Sequence, residues 1–129
     1  MDRAGIVYFG RVFEYCHIAY EELMTAIFGG IEGVFSGTDW GMPLVHAEAD
    51  YKAPMRLDDR LTVELRVERL GAGSVCFGYR VVGAAGSLRA TAQLVHAFVD
   101  MQRFTKRDVP QAFLDGLVAQ GLVPSDAGG

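Results

Sequence analysis

The chain has 129 residues, half of them hydrophobic and 22% charged, with a formal net charge of −4. That length makes one domain, residues 1–129, with enough chain for a proper core. The acidic balance argues against a nucleic-acid partner, and no run of about 20 uninterrupted apolar residues is present to span a membrane.

Two cysteines, Cys16 and Cys76, are far apart and fit no metal-binding spacing. They read as reduced core thiols of a soluble, cytoplasmic protein. No basic-then-apolar leader with a small-residue cleavage site opens the chain. Neither a metal nor a separate cofactor is expected.

The first strong periodic signal is VFEYCHIAYEELMTAIF at 12–28. Apolar residues recur at Val12, Phe13, Cys16, Ala19, Tyr20, Leu23, Met24, Ile27 and Phe28, which is the rhythm of a helix face. Gly29-Gly30 stops it. A glycine-rich connection, 29–42, follows. The period then changes to two. In LVHAEADYK, His46, Glu48, Asp50 and Lys52 share one face and Val45, Ala47, Ala49 and Tyr51 the other. Strands are predicted over 61–70, 74–82 and 87–99, with GAG (71–73) and GAAG (83–86) as hairpin turns. After the polar loop DMQRFTKRD, Pro110 is placed to open a short helix reaching about Gln120. The tail 124–129 reads as loose.

One long apolar helix followed by a meander of at least four antiparallel strands is an α+β arrangement. The sheet has one apolar face that needs a cover, and only the long helix is large enough to supply it. Strands curled around a central helix make the hot-dog fold. Such a small sheet leaves open edges, so pairing between subunits, as a homodimer or homotetramer, is expected.

The stretch DRAGIVYFGRVFEYCHIAYEELM resembles the opening motif of the 4-hydroxybenzoyl-CoA thioesterase family of hot-dog proteins: Asp-x-Ala-Gly, an apolar residue, Val-Tyr and an aromatic, then the long helix. PLVHAEADYKAPMRLDDRLTVELRVERLGAGSVCFGY is similar to the family's later strands. The likeness covers about residues 2–115, and it is closest to the 1,4-dihydroxy-2-naphthoyl-CoA thioesterase branch. Family members carry a strand before the motif, and Met1 stands where that strand would end.

The resemblance implies an acyl-CoA or aroyl-CoA substrate, coenzyme A being part of that substrate. It implies Asp2 as the carboxylate that attacks the thioester or activates water. The donor for the oxyanion is then the start of the helix, at the amides of Phe9 and Gly10, since a helix N-terminus exposes unpaired N–H groups and a positive dipole end. Gly5 lets the chain turn close to the substrate. Tyr8, Glu14, His17 and His46 would border the acyl group. Lys52, Arg56, Arg103, Lys106 and Arg107 are candidate cations for the phosphates, the RFTKR cluster at 103–107 foremost.

No Ser-His-Asp set and no G-x-S-x-G elbow is visible. His17 with Glu21 reads as a helix-surface hydrogen bond before an acid–base pair. His46, Glu48 and Asp50 read as a polar sheet face or subunit interface. His96 reads as a core or interface histidine. Other readings stay open: a thioesterase acting on acyl carrier protein, a hot-dog hydratase or dehydratase, and a non-catalytic acyl-CoA binder.

Overall fold

A computed structural model describes residues 11–29, 39–55 and 60–122. Helix α1 spans Arg11–Phe28, one residue earlier than the apolar rhythm begins. It buries Val12, Cys16, Tyr20, Leu23 and Met24, the i, i+4 stripe that the periodicity predicts. Gly29 follows with φ +83°, and its N–H donates to the Thr25 carbonyl at 2.8 Å. A left-handed residue of this kind ends a helix cheaply only as glycine.

The main sheet has four antiparallel strands: β2 (Leu44–Tyr51), β3 (Thr62–Leu70), β4 (Ser74–Val82) and β5 (Leu88–Ala97), in the order β2-β5-β4-β3. Strand β4 is central and carries Val75, Phe77, Tyr79 and Val81 on the helix side, all buried. Ala90, Ala92, Leu94 and His96 of β5 share that face. The opposite face is polar: Asp50, Thr91, Arg80 and Glu64 form one row across the four strands, and Glu48, Gln93, Gly78 and Arg66 form the next. One face covered and one solvated is the normal economy of an antiparallel sheet.

Strand β2 departs from its alternating pattern. Neither of its two alternating faces is well covered: of the apolar set, Val45 and Ala47 are exposed, and Leu44 at the strand's start is half exposed. The reason is position. β2 is an edge strand, and α1 contacts β3 and β5 instead. A bulge between Leu44 and His46 also takes Val45 out of register.

The long strand expected over 87–99 is two strands. Phe98 breaks it, because its N–H donates to the Gly73 carbonyl of the β3–β4 turn at 2.9 Å. The chain then enters a second small sheet of β1 (Trp40–Gly41), β6 (Val99–Asp100) and β7 (Thr105–Lys106), in the order β1-β6-β7. The stretch read as a polar loop is therefore a tight hairpin. The β4–β5 turn holds a short 3-10 turn, Ala84–Gly86. Helix α2 spans Gln111–Ala119 with Pro110 at its N-cap. Its Phe113 and Leu117 are buried, and Phe113 packs on Phe77 and Phe98, closing the core beside the C-terminal half of α1.

Candidate active site

The direction of α1 over the sheet follows from its contacts. Tyr20 lies at the level of Phe77 and His96, and Cys16 lies close enough to Tyr79 to affect its ionisation. Going back along the helix from Tyr20 to Cys16 thus moves along the sheet from the Phe77–His96 level to the Tyr79 level. At the other end, Phe28 packs on Trp40 with ring centroids 5.9 Å apart.

Asp2, Gly5, Tyr8, Phe9, Gly10 and Arg56 lie outside the described residues. The described part of α1 runs from Arg11, downstream of that segment. Glu14 lies in that first turn, exposed and paired with Arg11 at 3.2 Å. The pair partly neutralises a carboxylate that would otherwise work against an anion at this helix end.

His17 and Glu21 do form the i, i+4 pair, Nε2 to Oε1 at 3.3 Å, on the exposed side of α1. The ring of His17 also stacks over Tyr20. Tyr20 stacks in turn on His96, whose Nδ1 sits 2.8 Å from the Met42 carbonyl. With that carbonyl as acceptor, Nδ1 carries the proton. Burial holds the His96 pKa below its ordinary value, partly countered by the Met42 carbonyl. Three rings thus link the exposed helix face to the start of β2. His96 is a satisfied core histidine.

His46 is exposed on β2, 3.8 Å from Glu48. Its strand face is the polar one, and there Glu48, Asp50, Arg66, Arg80, Thr91 and Gln93 line a groove of about 410 Å³. The groove lies on the sheet face that carries Glu48, Asp50, Arg66 and Arg80. No group of three or more His, Cys, Asp or Glu among the described residues could hold a metal.

The candidate cations divide between the two ends of the molecule. Lys52 lies just past β2, at the α1 N-terminal end, 3.9 Å from Asp50. Beside it is Arg89, which the sequence reading passed over. Its guanidinium donates to the Pro54 carbonyl at 2.7 Å and to Ser87 Oγ at 3.1 Å, and its carbonyl accepts the Lys52 and Ala53 amides. An arginine just after a glycine-rich turn was the available signal. Arg103, Lys106 and Arg107 lie instead at the small sheet, near the α1 C-terminus.

Cys16 is fully buried, and burial pushes its thiol up to about 12. Cys76 is half-buried on the polar face, its pKa also raised by burial. Both are free, and neither has the depressed pKa of a nucleophilic thiol.

A family model described as the thioesterase-like superfamily matches residues 1–117. The chain belongs to this superfamily. Among its relatives is the 1,4-dihydroxy-2-naphthoyl-CoA hydrolase of Synechocystis sp., 34% identical over 111 residues, which covers 85% of this chain and 80% of that protein. The hydrolase of the same description from Synechococcus elongatus is 36% identical over 119 residues, covering 90% and 85%. The fold agrees. The crystal structure of a 1,4-dihydroxy-2-naphthoyl-CoA thioesterase from Synechocystis superposes with a TM-score of 0.82 at 32% identity, over 92% of this chain and 87% of that one. A Staphylococcus aureus protein crystallised with CoA reaches the same TM-score at 10% identity, which speaks for the hot-dog fold alone.

Proposed function

We propose that the protein hydrolyses aroyl-CoA thioesters, with a fused-ring hydroxyaroyl group of the kind processed by its relatives as the substrate class. The observation that carries this is the kinship to 1,4-dihydroxy-2-naphthoyl-CoA hydrolases at 34–36% identity, together with an Asp-x-Ala-Gly segment at residues 2–5 upstream of the long helix. In this reading Asp2 and the unpaired N–H groups at the start of the helix act on one thioester. Asp2 adds to the thioester carbonyl carbon, or takes a proton from the water that does. The Phe9 and Gly10 amides receive the oxyanion. The C–S bond then breaks, the CoA thiolate leaves, and water supplies the oxygen of the released acid. Gly5, Tyr8, Glu14 and His17 border the acyl group, and Lys52, Arg56 and Arg89 hold charge at that end.

The working unit is a homodimer, or a tetramer built from it. The outer edge of β2, which no strand among the described residues pairs, has exposed Leu44, Val45 and Tyr51 beside it and invites a second copy of itself. His46 then lies at the join. Two free thiols fit the reducing cytoplasm.

The test is thiol release from aromatic and aliphatic acyl-CoAs and from an acyl carrier protein thioester, with Asp2→Asn alongside. Turnover of the aroyl-CoA should fall about 10²–10⁴-fold in the variant while ligand binding persists. Equal turnover by both proteins would remove Asp2 from the chemistry. Preference for the carrier protein would replace the CoA reading.

A further inference from the structure

The tip of the β6–β7 hairpin breaks two rules at once. Phe104 is 76% exposed, where a large aromatic gains nothing from burial. Its φ is +54°, in the left-handed region that costs a non-glycine residue about 1 kcal/mol or more. The tip is also firmly built. The Asp100 carboxylate accepts the amides of Gln102 and Arg103 at 2.8 and 3.2 Å, and the Phe104 N–H donates to the Asp100 carbonyl at 2.7 Å. Met101 lies over Gly41, where a Cβ would meet its sulfur at 2.8 Å. The ring is therefore held out on a fixed base.

Arg103 and Lys106 flank it, both exposed, and among the described residues neither cation has a salt-bridge partner. Arg107 is half-buried and donates to the Asp108 carbonyl. An open aromatic face between unpaired cations suits a ligand that is flat and apolar at one end and carries phosphate close by. Coenzyme A has such an end in its adenine nucleotide. We infer that Phe104 is a stacking platform for the adenine of the CoA thioester, with Arg103 and Lys106 on its phosphates. The inference rests on the aroyl-CoA reading and the β2-paired dimer above. The tip lies by the α1 C-terminus, and 18 residues of helix separate it from the α1 N-terminus by about 27 Å. A two-fold axis through paired β2 edges sets the two α1 helices antiparallel. The tip of one protomer then serves the thioester activated on its partner.

Phe104→Gly tests this without threatening the fold, because glycine relieves the positive φ. The readouts are kcat/KM for one aroyl group carried on CoA and on pantetheine, and binding of adenosine 3′,5′-bisphosphate by calorimetry. The CoA-to-pantetheine ratio should fall about tenfold or more in the variant, with Phe104→Trp restoring it, and nucleotide binding should weaken in parallel. An unchanged ratio overturns the inference even if the enzyme is active. So does a wild-type protein that binds no nucleotide, or a variant whose only change is a smaller oligomer. Absence of turnover on both thioesters would sink the hydrolase reading instead, leaving the nucleotide measurement to decide the tip.

Discussion

The rings of Tyr20 and His96 lie 4.9 Å apart and within 4° of parallel, one on α1 and the other on β5. The stack ties the helix to the sheet through a histidine that is 7% exposed. Its Nδ1–H is committed to the Met42 carbonyl, and Phe77 meets the ring edge-on. A proton added to this ring would be held in an apolar setting, with no anion beside it among the described residues.

Stability should therefore depend on pH on the acid side. The His96 pKa in the fold is below the ordinary 6.5 because of burial. As pH falls below about 6.5 the unfolded chain gains a proton that the folded one refuses, so stability drops. Above that pH the contribution is fully present. His96→Asn keeps a donor for Met42 but removes the titration. Melting curves from about pH 8 to about pH 5 should slope less steeply in the variant, from a lower starting Tm. Parallel slopes would assign the acid sensitivity elsewhere.

The register of the proposed dimer can be argued from charge. Two antiparallel copies of β2 place residues of like parity opposite each other. Centring on Glu48 sets that carboxylate against itself, and centring on Ala49 sets Glu48 against Asp50. Like charges directly opposite are unfavourable. Centring on Ala47 sets His46 against Glu48 on both sides of the axis. An Ala47→Cys protein should then form an inter-subunit disulfide on mild oxidation, the two Cβ atoms being about 4.5–5.5 Å apart. Ala49→Cys should not. The reverse result would move the axis two residues along β2, to Ala49.

His17 separates substrate contact from stability. Its side chain is 64% exposed and its ion pair lies at the surface, so His17→Ala should move stability by no more than about 0.5 kcal/mol. If it borders the acyl group, KM for aroyl-CoA rises several-fold with little change in Tm. A fall in Tm without a kinetic effect would make it a structural residue of the ring stack.

Gly116 marks where the two helices meet. A Cβ there would run into Ile27 Cγ2. Gly116→Ala should cost about 1–3 kcal/mol by overpacking, although alanine gains about 1 kcal/mol in helix propensity. Pairing it with Ile27→Ala should show favourable coupling in a double-mutant cycle. Strict additivity would mean the helices part easily.

Much of this fold was legible in the sequence, for a physical reason. The buried stripe of α1 and the inward set of β4 repeat with the period of their own elements, so local pattern and tertiary burial agree. Val45 and Phe98 broke the pattern. Val45 shares the alternating apolar face of its strand, but an edge strand with a bulge has no core above it. Phe98 extends an apolar run, yet its amide is claimed by a turn more than twenty positions back, and such a partner leaves no local trace. At the site, His17 with Glu21 followed from spacing alone. Arg89 and Phe104 did not, because their significance lies in three-dimensional placement: one anchored across a loop, the other held out by a left-handed backbone.

The seam between the β3–β4 turn and the C-terminal segment reaches beyond packing. The Ala72 and Gly73 carbonyls receive the amides of Val109 and Phe98, and a Cβ at Gly73 would come within 2.7 Å of the Arg107 carbonyl. Phe113 then fills the centre of the core. During synthesis the helix and the first strands emerge well before these partners do. The nascent protein must hold its aromatic interior uncovered until nearly the last stretch is translated, so it depends on chaperone cover or on speed at the end.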